Sequence, residues 1–117
     1  MISNLTKGET MYRQGDILIV PTPRVRKLGA PVPRDERGRI VLALGEATGH
    51  AHAIAAPGAG LFASMDAASP DRILRVDKGG ATLSHEEHAA IDLPAGDYIV
   101  RRQREYAPGE IPRTVAD

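Results

Sequence analysis

The chain has 117 residues, enough for one domain with one core and too few for two. Its fifteen basic and fifteen acidic side chains cancel, so no overall field draws it to nucleic acid or membrane. It has no cysteine, which excludes disulfide staples, thiolate metal sites and thiol catalysis.

Aromatic residues are scarce: Tyr12, Phe62, Tyr98 and Tyr106 are the whole set, so the core must rely on Ile, Leu, Val and Ala. A small aliphatic core is often supplemented by a metal or by an oligomer interface, and a homo-oligomer is therefore among the expected partners. Residues 1–10 read as a flexible leader ahead of a single β domain over 11–117. No run approaches the ~18 apolar residues of a spanning helix and the N-terminus has no apolar signal core, so no membrane partner is expected and the chain reads as cytoplasmic.

In chain order, short apolar runs alternate with Gly and Pro, which leaves little room for a helix, because each proline costs ~3 kcal/mol in a helix interior. Asp16-Ile17-Leu18-Ile19-Val20, set between Gly15 and Pro21, predicts a strand buried on both faces. Pro21, Pro23, Pro31 and Pro33 then mark a long extended connection. Its residues 24–39 carry six cations against two carboxylates, and a loop of this length is expected to be functional or mobile.

Arg39–Leu44 and Gly49–Ala55 are the next strand candidates. Pro57-Gly58-Ala59-Gly60 is a turn into a weak strand over Leu61–Ser64, and Ser69-Pro70-Asp71 is a turn into a strand over Arg72–Val76. Asp77-Lys78-Gly79-Gly80 has hairpin-turn chemistry, with Ala81–Ser84 as the returning strand. Ala90–Leu93 and Asp97–Arg102 flank a tight turn at Pro94-Ala95-Gly96. Many short strands at regular spacing predict an all-β fold, a small sandwich or barrel.

All four histidines lie in two motifs, Gly49-His50-Ala51-His52 and His85-Glu86-Glu87-His88. On a strand His50 and His52 share a face, an arrangement that can direct two imidazole nitrogens at one metal. The second motif has two readings. Ser84 and Glu87 match a capping box, so a helical turn would point His85 and His88 the same way. An extended segment would instead pair His85 with Glu87 and Glu86 with His88.

Together the motifs offer His50, His52, His85 and His88 as ligands for a divalent metal without sulfur: zinc, iron, manganese or nickel. Glu86 and Glu87 are the candidate catalytic groups, with Glu46 as a further base or tautomer-holding partner. Without metal, a His–Glu pair could still relay protons near neutral pH. The bland alternative is four polar surface histidines.

The segment 101–106 adds Arg102 and Arg104, which share a strand face with Tyr106 beyond them and could hold a small anionic substrate. A charged, aggregation-resistant edge strand explains the same residues. Neither a phosphate-cradling glycine loop nor a G-x-S-x-G nucleophile context is present. The leading expectation is a metal-dependent protein, a small hydrolase or related enzyme. The competing class is a non-enzymatic adaptor that binds protein or nucleic acid through loop 24–39 and strand 101–106.

Gly45 to His52 resembles the first half of the cupin metal motif, which implies a double-stranded β-barrel around a divalent metal and a third histidine from a later strand, His85 or His88. The chain lacks the glutamate that usually follows the pair. A fuller resemblance, carried by Tyr12-Arg13-Gln14-Gly15-Asp16, the two histidine motifs and Arg102-Gln103-Arg104-Glu105-Tyr106, is to a group of small bacterial and phage proteins of unassigned function. It implies no activity.

Overall fold

A computed structural model describes residues 11–44, 49–66 and 68–102. The leader expected over 1–10, Glu46 and the segment from Gln103 onward, with Arg104 and Tyr106, lie outside these described residues. The described residues form nine strands: β1 (Tyr12–Gln14), β2 (Ile17–Thr22), β3 (Ile40–Leu44), β4 (Ala51–Ile54), β5 (Ala59–Ala63), β6 (Arg72–Val76), β7 (Ala81–Ser84), β8 (Ile91–Leu93) and β9 (Gly96–Arg102). They make two antiparallel sheets, ordered β1-β2-β9-β6-β5 and β3-β4-β7-β8. No closed barrel forms among the described residues, so of the two architectures open to the sequence the sandwich is the one adopted.

The core lies between the sheets and is aliphatic, as the shortage of aromatics requires. Ile17, Ile19, Leu61, Leu74 and Val100 from the larger sheet meet Ile40, Leu42, Ile54, Leu83 and Leu93 from the smaller. Tyr98 is buried in this layer and packs edge-on against the partly buried Tyr12. The strand over Asp16–Val20 was expected to be buried on both faces. Instead it alternates, Ile17 and Ile19 fully buried and Leu18 and Val20 only partly, because an antiparallel sheet of a two-layer sandwich has a single covered face.

Two expected turns form but do different work. Gly80 adopts φ +74° and its N–H donates to the Asp77 carbonyl at 2.9 Å, so the turn is real. However, β6 and β7 belong to different sheets, and the turn is a corner between layers rather than a hairpin. The same holds for Pro94-Ala95-Gly96, between β8 and β9. Turn chemistry sets the local reversal; the apolar faces decide which strand each segment pairs with.

The basic connection is also resolved by pairing. Gly29 N–H donates to the Ala63 carbonyl (2.9 Å), Ala63 N–H to Ala30 (2.9 Å) and Val32 N–H to Leu61 (2.8 Å), so the segment lies along β5, the edge strand of its sheet. Covering an edge is a structural reason for the length of the loop. Arg34 adds bonds to the Gly38, Ala56 and Ala59 carbonyls, and Arg39 pairs with Asp35.

Candidate metal centre

The histidines meet because of strand register. In β4 and β7, Ala53 faces Ser84 and Ile54 faces Leu83. Carried past the end of the ladder, the same antiparallel register sets His52 across from His85, Ala51 across from Glu86, and His50 across from Glu87. The contacts agree with this. The His52 and His85 rings lie 4.3 Å apart, Ala51 N–H donates to Glu86 Oε1 at 2.9 Å, and His50 Nδ1 is 3.4 Å from Glu87 Oε2. On the other flank of β4, β3 carries a bulge between Val41 and Ala43 that re-aims its pairing beside His52, and the Leu42 carbonyl accepts from Arg72.

His85-Glu86-Glu87-His88 is a bend, not the helical turn that the capping box suggested. The cap groups are used elsewhere: Ser84 Oγ donates to the Ala53 carbonyl at 3.3 Å, and Glu87 N–H donates to His85 Nδ1 at 3.0 Å. The bend still directs His85 and His88 together, with ring centroids 4.7 Å apart. His88 stacks on His52 at 5.9 Å, and His50 meets His85 edge-on at 5.6 Å. All four imidazoles therefore form one cluster at one end of the sandwich. His52 is its buried floor, His50 and His85 are half-buried, and His88 is exposed.

Three potential ligands are already gathered: one atom each from His50, His85 and Glu86, all within 4.8 Å of one another. The Ala51 N–H, above all, holds the Glu86 carboxyl below its ordinary pKa, so it is a carboxylate at neutral pH. His52 lies deeper, and burial pushes its pKa down to about 4, helped by the neighbouring His85. It is a neutral imidazole, the form that binds metals.

Two groups of the cluster had no role in the sequence reading. Gln14, from β1, is buried and reaches across the layers: its Nε2 donates to the Leu83 and Ala89 carbonyls, and its Oε1 meets His52 Nδ1 at 2.8 Å. Asp16 places Oδ1 3.9 Å from His52 Nε2 and is held by Arg102 Nε at 2.8 Å. Both flank Gly15 in the two-residue hairpin between β1 and β2, a place that the sequence reading treats only as the start of the Asp16–Val20 strand. Arg102 thus borders the cluster through Asp16, whereas Arg101 faces away and forms a two-pronged pair with Asp71.

A family model described as a domain of unknown function, DUF8820, matches residues 13–103. The chain belongs to that family. The DUF8820 match spans Gln14-Gly15-Asp16, both histidine motifs and Arg102, so every described residue of the cluster falls within the domain. No curated protein and no solved structure matches the chain significantly. Among the described residues no helix is long and apolar enough to cross a membrane.

Proposed function

We propose that the histidine cluster holds a divalent transition metal and that the domain is a metal-dependent enzyme of the hydrolase type. The observation that carries this is the gathering of His50, His85 and Glu86 ligand atoms within 4.8 Å at an open end of the sandwich. The donor set of nitrogen and oxygen without sulfur suits zinc, iron, manganese or nickel. A bound ion with an open position would lower the pKa of a coordinated water toward ~7.

The chain's own groups have supporting places. Glu87 Oε2 stands 3.4 Å from His50 Nδ1; a proton on that nitrogen would leave the His50 Nε2 lone pair for a ligand bond, as in the carboxylate–histidine–metal pattern. His85 keeps its lone pair on Nδ1, now held by the Glu87 N–H, and would exchange that bond for a metal. Glu87 is exposed and stands outside the gathered ligand group, and is the candidate base. Arg102, one-third exposed beside Asp16, is positioned to meet an anionic substrate at the rim. The adaptor reading has less support, since Arg34, Arg39 and Arg101 are each committed to partners within the fold.

Elemental analysis of protein purified without chelator, beside a His50→Ala/His85→Ala double variant, tests the reading. Near-stoichiometric metal in the parent and its loss in the variant are expected. No metal in either, even after incubation with zinc, iron, manganese or nickel, overturns it.

A further inference from the structure

Two hydrogen-bond acceptors face one another at the floor of the cluster. The Gln14 amide is fully committed, with Nε2 donating to the Leu83 carbonyl at 3.2 Å and the Ala89 carbonyl at 3.0 Å. Its Oε1 is therefore the atom facing His52, and the His52 proton must sit on Nδ1 to meet it at 2.8 Å. That leaves a lone pair on His52 Nε2. Opposite it, at 3.9 Å, stands Asp16 Oδ1, also an acceptor, on a carboxylate anchored through Oδ2 to Arg102.

A separation of 3.9 Å is too long for a hydrogen bond. It is close to the ~3.4 Å that separates two ligand atoms sharing one tetrahedral ion at ~2.1 Å. With the His52 proton on Nδ1, its Nε2 has none to donate across the gap. A cation between the two would satisfy both lone pairs at once.

Gly15 permits a close approach. A Cβ at this position would stand 3.0 Å from His88 Nε2, 3.2 Å from His52 Cε1 and 3.5 Å from His52 Nε2. A side chain here would press on both rings and displace them from Asp16. The glycine's φ of +58° suits the first position of the hairpin turn, so this residue serves backbone and ring placement together.

We infer that the cluster contains a second cation position, formed by His52 Nε2 and the Asp16 carboxylate and bordered by His88, beside the His50–His85–Glu86 group. Gln14 and Arg102 are its positioning residues: the first sets the His52 tautomer, the second the Asp16 rotamer. The inference deepens the proposed metal centre and rests on it for the other ion, turning a one-ion site into a two-ion site.

Zinc titration of the metal-free full chain, read by calorimetry and by elemental analysis after gel filtration, separates the outcomes. The parent is expected to retain two equivalents. Asp16→Asn and Gly15→Ala are each expected to retain one, as is His85→Ala/Glu86→Gln, with melting curves confirming that each variant is folded. Asp16→Asn is nearly isosteric and keeps the test open if the strained Gly15→Ala fails to fold.

One equivalent in the parent, unchanged in Asp16→Asn, removes the second position and leaves the proposed centre standing. One equivalent that is lost in Asp16→Asn but kept in His85→Ala/Glu86→Gln supports the Asp16 position and removes the other group. Two equivalents retained in Asp16→Asn overturn the inference. No zinc in the parent overturns both readings.

Discussion

Gln14 and His52 show how one side chain can depend on a complete hydrogen-bond account. Gln14 is 2% exposed and spends both amide protons on carbonyls and its oxygen on the imidazole. Gln14→Leu removes two bonds to carbonyls and leaves one buried ring N–H without its acceptor, and is expected to destabilise by about 2–3 kcal/mol, measured by urea unfolding. A loss below ~0.5 kcal/mol would mean that water replaces the amide freely. His52 adds a pH dependence to metal-free protein. Its imidazole takes a proton near 6.5 when unfolded and only near about 4 when folded. Between those values the unfolded state binds more protons, so stability is full above pH 6.5 and falls as the pH drops toward 4. The total is on the order of 3 kcal/mol. Unfolding curves across this window should show that slope in the parent and a shallower one in His52→Gln. Equal slopes would assign the acid sensitivity to other groups.

At the scale of elements, the segment from Gly29 to Val32 stands or falls with its fit to β5. A Cβ on Gly29 would lie 2.5 Å from the Ala63 carbonyl oxygen, so Gly29→Ala must lift the segment from the strand. We expect a loss of about 1–3 kcal/mol. Faster amide exchange at Val32 and Ala63, and a greater tendency to associate through the uncovered edge, should accompany it. Unchanged exchange at these amides would show that the edge cover does not depend on Gly29. The start of the same connection is tied at Val25 by Asp97, whose carboxylate also takes two bonds from Arg75. Burial alone would raise the Asp97 carboxyl, but Arg75 and the Val25 N–H outweigh it and hold it low. Asp97→Asn is expected to cost about 2–4 kcal/mol at pH 7, because Arg75 loses its counter-charge. The difference from the parent should shrink as the pH falls through the depressed carboxyl value.

For the whole molecule, the thin aliphatic core makes any ligand of the native state count. An ion held by His50, just before β4, and by the bend after β7 would join two segments at the end of the sandwich where the ladder has already stopped. Zinc at a hundredfold excess over its dissociation constant stabilises by about 2.7 kcal/mol. The melting midpoint of the parent should therefore rise by several degrees with zinc, and that of His50→Ala/His85→Ala should not. An equal rise in both would place the zinc elsewhere.

The all-β class, nearly every strand and both histidine motifs were legible in the sequence, because these are local properties: β-branched runs bounded by Gly and Pro, and ligand residues at short spacing. The same locality explains the errors. Asp77 to Gly80 states that the chain turns, yet only the match of buried faces sends β7 to the other sheet. Ser84 and Glu87 state a capping box, yet pairing with Ala53 and the ring of His85 uses those groups first. The convergence of the two motifs depended on a register shared by strands some thirty residues apart, which no local pattern encodes. Gln14 and Asp16 entered the site only when the β1–β2 hairpin was laid over the end of the opposite sheet. The sequence by itself determined which chemistry the chain can carry, since ligand types and strand propensity are written residue by residue. Only the tertiary structure decided which of those residues share a site, since that depends on register and on how two apolar faces meet.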